Sequence, residues 1–242
     1  MKKLIFGFVL AKLLLLSLFW TFTFSPSQNA QLAKPQPTIT PNVSTDNINR
    51  ETSEPYKGDL SIFEGEKRAE NLQIERVMDV LKIAEGKAVA DIGAGSGWFT
   101  VRAAKRVGAK GKVFAVEISQ DAIDYINERK LKEKIPNIET VLGKEDNPLL
   151  PQKKVDAVLI LKTYHEIAEP VRLMKNLLPS LRKNALVGII DRNGDSDSHG
   201  INRETVVEEM KRAGFTLKEE YDFVKGDGMD YFLIFQADTK GK

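Results

Sequence analysis

The 242-residue sequence predicts an α/β domain with helices on both faces of a mixed, mostly parallel sheet. Three observations carry this. Short apolar runs suited to buried strands alternate with amphipathic stretches of helical period. One of these runs, residues 88–92, passes straight into a glycine-rich turn and then a helix. The chain closes on two strand-like runs around Lys225-Gly226-Asp227-Gly228, which read as an antiparallel pair.

Taken in order, the chain opens with Met1-Lys2-Lys3 and an apolar run over residues 4–24, interrupted by Lys12. A basic start, an apolar middle and small residues near Ser25, Ser27 and Ala30 make residues 1–27 a signal peptide or a membrane anchor. Membrane contact through residues 4–24 is expected if the segment stays uncleaved. The protein is thus expected to be exported or membrane-anchored, with the side open: Lys2 and Lys3 favour an outward domain, and a cytosolic cofactor would favour the reverse. Residues 28–55 are rich in Gln, Asn, Pro, Ser and Thr and read as a flexible linker. The folded domain is assigned to residues 56–242.

Composition narrows the chemistry. With no cysteine, disulfides, Cys-ligated metals and thiol catalysis are excluded. Beyond the first thirty residues the chain carries 33 basic against 34 acidic side chains. A near-neutral domain has no bulk attraction for nucleic acid, so no such partner is expected.

Ile74, Val77, Met78 and Leu81 follow helical spacing and predict one helix over residues 65–85, ended by Gly86. Strand 88–92 and the turn at Gly93, Gly95 and Gly97 lead into a helix that Gly108 stops. Residues 112–117 form the next strand, and Ser119 is expected to cap the helix after it, with Ile118 and Ile123 as a hydrophobic staple. Residues 137–142, 154–161 and 185–190 supply three more strands, and residues 202–213 a last helix before the terminal pair at 215–224 and 229–236. That makes seven strands.

The ligand is read from the glycines. A dinucleotide fingerprint needs G-x-G-x-x-G, but counting from Gly93 and Gly95 the third position is Trp98. Asp91 at the strand end would also repel phosphates drawn to the helix N-terminus. A ligand bearing a cation fits better. The run Asp91-Ile92-Gly93-Ala94-Gly95-Ser96-Gly97 resembles the first motif of the class I S-adenosylmethionine (SAM)-dependent methyltransferases, with its acid-x-Gly-x-Gly-x-Gly pattern complete. The resemblance implies a Rossmann-like seven-stranded sheet with a reversed last strand, SAM as cofactor, and cofactor contacts at Asp91, Gly93, Ala94, Gly95 and Gly97. Glu117, at the end of the second strand with Ile118 beside it, stands where an acid accepts both ribose hydroxyls. For an acid on the adenine amino group, the Leu-Pro pair anchors Asp146, with Glu145 the alternative.

Ligands in open α/β sheets bind beyond the carboxyl ends of the strands. Tyr164 and His165, just past the fourth strand, are therefore the candidate catalytic residues, and the imidazole suits proton removal from an acceptor hydroxyl or amine. His199 lies in a polar loop that could fold over the substrate, and Tyr56, Phe63 and Arg68 could form a lid or wall. Asp191 with Asn193 resembles the metal site of catechol-type methyltransferases, but Lys162 and Thr163 stand where another acid is needed, so no metal is expected. The sequence reads as a SAM-dependent methyltransferase acting on a small molecule. The alternatives are an exported or tethered non-catalytic module of the same fold and a NAD-dependent oxidoreductase.

Overall fold

The structure, a computed structural model, describes residues 52, 56, 58–194, 199–225 and 227–238. The leader at 1–27 and almost all of the linker at 28–55 lie outside the described residues. No helix among the described residues is long and apolar enough to cross a membrane.

Seven strands form one sheet in the order β3-β2-β1-β4-β5-β7-β6. They are β1 (Ala88–Ile92), β2 (Lys112–Glu117), β3 (Ile138–Leu142), β4 (Val155–Leu161), β5 (Leu181–Arg192), β6 (Phe215–Tyr221) and β7 (Asp230–Ala237). The first five are parallel, and β7 runs antiparallel to both β5 and β6. Chain order reverses between β1 and β4, which is where such a sheet opens a crevice at its carboxyl ends.

Alternation along the strands builds two cores. Val89, Leu159, Phe232 and Ile234 point to one face, where they meet helices α2 (Ile74–Val80), α3 (Trp98–Val107) and Ile126 of α4 (Gln120–Lys132). Ala90, Val158, Ile160, Leu233 and Phe235 point to the other, against α5 (Pro170–Leu177) and α6 (Arg203–Arg212). Strands buried on both faces carry near-continuous apolar runs, and β4 is buried at six of its seven positions.

Three local expectations are corrected. The helix expected over 65–85 is a single helical turn α1 (Arg68–Asn71) and then α2, preceded by a 3-10 turn at Leu60–Glu64, because Gln73 adopts a left-handed conformation (φ 46°) between α1 and α2. Its Nε2 donates to the Phe223 carbonyl at 2.9 Å, so a tertiary contact breaks the helix. Ser119 stands at the N-cap of α4 but makes no side-chain cap bond. β5 begins at Leu181, earlier than the apolar run from residue 185.

Candidate functional site

The carboxyl ends of β1, β2 and β4 open onto a cleft of about 890 Å³, within the usual size of ligand sites. Its floor is the turn after β1. There Gly93 donates its N–H to the Val116 carbonyl at 2.9 Å, and a Cβ at Gly93 would come within 2.2 Å of Thr163 Cγ2. Among the described residues a Cβ at Gly95 would meet only the Phe63 ring, at 3.9 Å, so its missing side chain leaves room in the cleft. Gly97 begins α3, and Ala94, nearly buried, lines the cleft beside it.

Two acids flank this turn. Asp91, at 1% exposure, accepts from Thr100 Oγ1 at 2.6 Å. Burial, reinforced by the Glu117 charge, raises its carboxyl to about 7, although the Thr100 bond and the Arg68 guanidinium both work in the opposite direction. Glu117 accepts the Gly95 N–H at 2.6 Å through Oε1 and the Ile118 N–H at 3.1 Å through Oε2. Burial raises its carboxyl too, and these backbone donors partly hold it down. Ile118, exposed on one side, adds an apolar wall.

The roof is the segment before α2. Tyr56 and Phe63 meet edge to face with centroids 5.5 Å apart, and both line the cleft with Arg68, whose guanidinium lies 4.6 Å from the centre of the Trp98 ring. Glu64 latches this segment down: it accepts from Ser96 Oγ at 2.5 Å and pairs with Arg129 of α4. Nothing in the spacing of Glu64 marks that role, because its partners come from two other elements.

The far end of the cleft is made by the segments after β4 and β5. His165 lines it, and Asp191 grips the residue twice, accepting the His165 backbone N–H at 3.1 Å and facing Nδ1 at 2.9 Å. Burial resists protonation of His165, but the Asp191 hydrogen bond and charge, with Glu166, outweigh it and hold the imidazole above its ordinary pKa. Because Asp191 is an acceptor, the neutral imidazole carries its proton on Nδ1 and leaves Nε2 facing Glu166 Oε1, 3.5 Å away. His199 (φ 50°) lines the same end. Tyr164 does not: it is fully buried in the core on the α5 side of the sheet. Of the two acids in the loop after β3, Glu145 lines the cleft, whereas Asp146 is drawn away to Arg172 at 2.8 Å. Asn193 accepts from the Arg203 N–H at 3.1 Å near the start of α6 and does not join Asp191.

A family model described as a methyltransferase domain matches residues 89–184. The chain is 35% identical over 80 residues to a probable cobalt-precorrin-6B C(15)-methyltransferase (decarboxylating) of Sulfurisphaera tokodaii, covering 33% of this chain and 42% of that protein. It is 31% identical over 101 residues to a protein-L-isoaspartate O-methyltransferase of Methanococcoides burtonii, covering 40% of this chain and 49% of that one. The chain thus spans less than half the length of these curated relatives. A SAM-dependent methyltransferase from Aquifex aeolicus superposes with a TM-score of 0.67 at 24% identity, over 73% of this chain and 95% of that one. Residues 89–184 therefore match a methyltransferase domain, and the described sheet has the fold of the solved SAM-dependent methyltransferase.

Proposed function

We propose that the protein binds SAM over the turn after β1 and transfers its methyl group to a small-molecule acceptor held beside His165. The observation that carries this reading is the pair of carboxyl groups, buried Asp91 and half-buried Glu117, on either side of the glycine turn. A pyrophosphate there would meet two acids in a low-dielectric pocket, whereas a ligand with an ammonium, a sulfonium and ribose hydroxyls meets acceptors.

The residues fit this cofactor. Glu117 keeps lone pairs beyond those used by Gly95 and Ile118, and these suit ribose hydroxyls. Asp91 suits the ammonium of the methionine end, and Arg68 its carboxylate. Glu145 is the acid available to the adenine amino group. When bound, the cofactor supplies an electrophilic methyl on a sulfonium. The protein's part is to align an acceptor and exclude water, and alignment of this kind is worth roughly 7–11 kcal/mol. The latched roof serves exclusion, and His165 stands at the acceptor end of the cleft. Residues 4–24 are proposed to export or anchor the domain, and protease accessibility in intact cells tests the side it occupies.

Thermal melts of the full chain with SAM, S-adenosylhomocysteine and NAD test the reading. The first two are expected to stabilise, by about 2.7 kcal/mol at a hundredfold excess over Kd. Stabilisation by NAD with none from S-adenosylhomocysteine would overturn it in favour of an oxidoreductase. Methyl-labelled SAM that binds but never loses label to any hydroxyl, amine or carboxylate acceptor would favour the non-catalytic module.

A further inference from the structure

The chain has two histidines, and the fold brings both to one end of one cleft. His165 follows β4 and His199 follows β5, 34 positions on, yet their ring nitrogens and a Glu166 oxygen all lie within 4.8 Å of one another. We propose that His165, Glu166 and His199 hold a transition-metal dication of the zinc type, with one coordination position left open toward the acceptor.

The geometry carries it in three ways. His165 Nε2 stands 3.5 Å from Glu166 Oε1. Metal bonds of about 2.0–2.1 Å in a tetrahedral site set ligand atoms roughly 3.3–3.4 Å apart, so this pair is already spaced for one ion. The two edges to His199 are within 4.8 Å, and His199 is an exposed loop residue that can close them.

The second support is Asp191. A metal-bound imidazole almost always donates its other N–H to a carboxylate or carbonyl, which fixes the tautomer and the ring plane. Asp191, fully buried, does this for His165 Nδ1. In this arrangement Asp191 is a positioning residue and not a ligand, and Asn193 takes no part. Third, the charge that Lys162 sets against an ion beside His165 is partly offset, because Lys162 is paired with buried Asp230.

Two imidazoles and one carboxylate are the donor set of catalytic zinc and related sites, and they disfavour magnesium and calcium, which prefer all-oxygen shells. The cation site stands on its own geometry. Its use, to fix an acceptor that offers an oxygen or nitrogen donor atom next to the methyl group, rests on the methyl-transfer reading above.

The test is titration calorimetry of chelator-treated full chain with zinc chloride, and the visible spectrum of the cobalt-loaded protein. One zinc per chain and a tetrahedral cobalt spectrum are expected. His199→Ala should weaken zinc at least tenfold and Asp191→Asn by about 10–100-fold. His199 is exposed, so its variant keeps the fold, and Glu166→Gln gives a second loss of affinity. Absence of saturable zinc binding, or zinc binding undiminished in His165→Ala/His199→Ala, overturns the proposal. Zinc binding without any S-adenosylhomocysteine binding leaves the cation site standing and removes the methyl-transfer reading.

Discussion

Glu117 and Gly95 are joined by a 2.6 Å hydrogen bond from the Gly95 N–H to the Glu117 carboxyl, which ties the end of β2 to the turn after β1. The bond holds the carboxyl at the mouth of the cleft. Glu117→Ala is therefore expected to weaken SAM binding at least tenfold, about 1.4 kcal/mol, in titration calorimetry. Unaltered affinity would remove Glu117 from the site.

Gly93 and Thr163 pack so closely that a Cβ at residue 93, at φ 72°, would meet Thr163 Cγ2 at 2.2 Å. Gly93→Ala should therefore destabilise the fold by about 2–4 kcal/mol, combining overpacking with a left-handed non-glycine residue. The urea midpoint reads this directly. Thr163→Ala should recover part of the loss, since the collision is with its side chain.

Asp91 gives a pH signature. Its carboxyl is raised to about 7 in the folded protein, chiefly by burial, from an ordinary 3.8. A raised acid stabilises fully below the unfolded value, and that contribution is lost as pH rises through about 7. The ligand-free Tm should thus decline from about pH 4 to about pH 7 more in the wild type than in Asp91→Asn. SAM affinity should move oppositely, rising through the same window as the carboxylate forms and pairs with the ammonium. A pH-independent affinity in the wild type would contradict that pairing.

Glu64 joins the roof to Ser96 and Arg129 through charge-assisted bonds. Glu64→Ala should speed SAM dissociation by roughly five- to tenfold, in line with 1–1.4 kcal/mol for partly exposed bonds of this kind. Stopped-flow release of the ligand measures it. An unchanged off-rate would mean that the roof does not retain the cofactor.

Much of the fold was legible because its signals are local. β1, β2 and β4 are short apolar runs, and the glycines that end them act on their own backbone. The break at Gln73 was not, since its cause is Phe223, 150 positions away. The site followed the same division. Asp91, the glycines and Glu117 announce themselves by spacing. Choosing between Glu145 and Asp146 needs the position of Arg172 on α5, and separating Tyr164 from His165 needs the turn at Tyr164–Glu166, which sends neighbouring side chains to opposite sides. The His165–Asp191 contact depends on β4 and β5 being adjacent, which spacing along the chain does not state.

The most direct measurement is a crystal structure of the full chain grown with S-adenosylhomocysteine and NAD together. The account predicts S-adenosylhomocysteine in the cleft, its ribose hydroxyls on Glu117 and its ammonium on the Asp91 side. NAD in that cleft, with its pyrophosphate against Gly95, would contradict it.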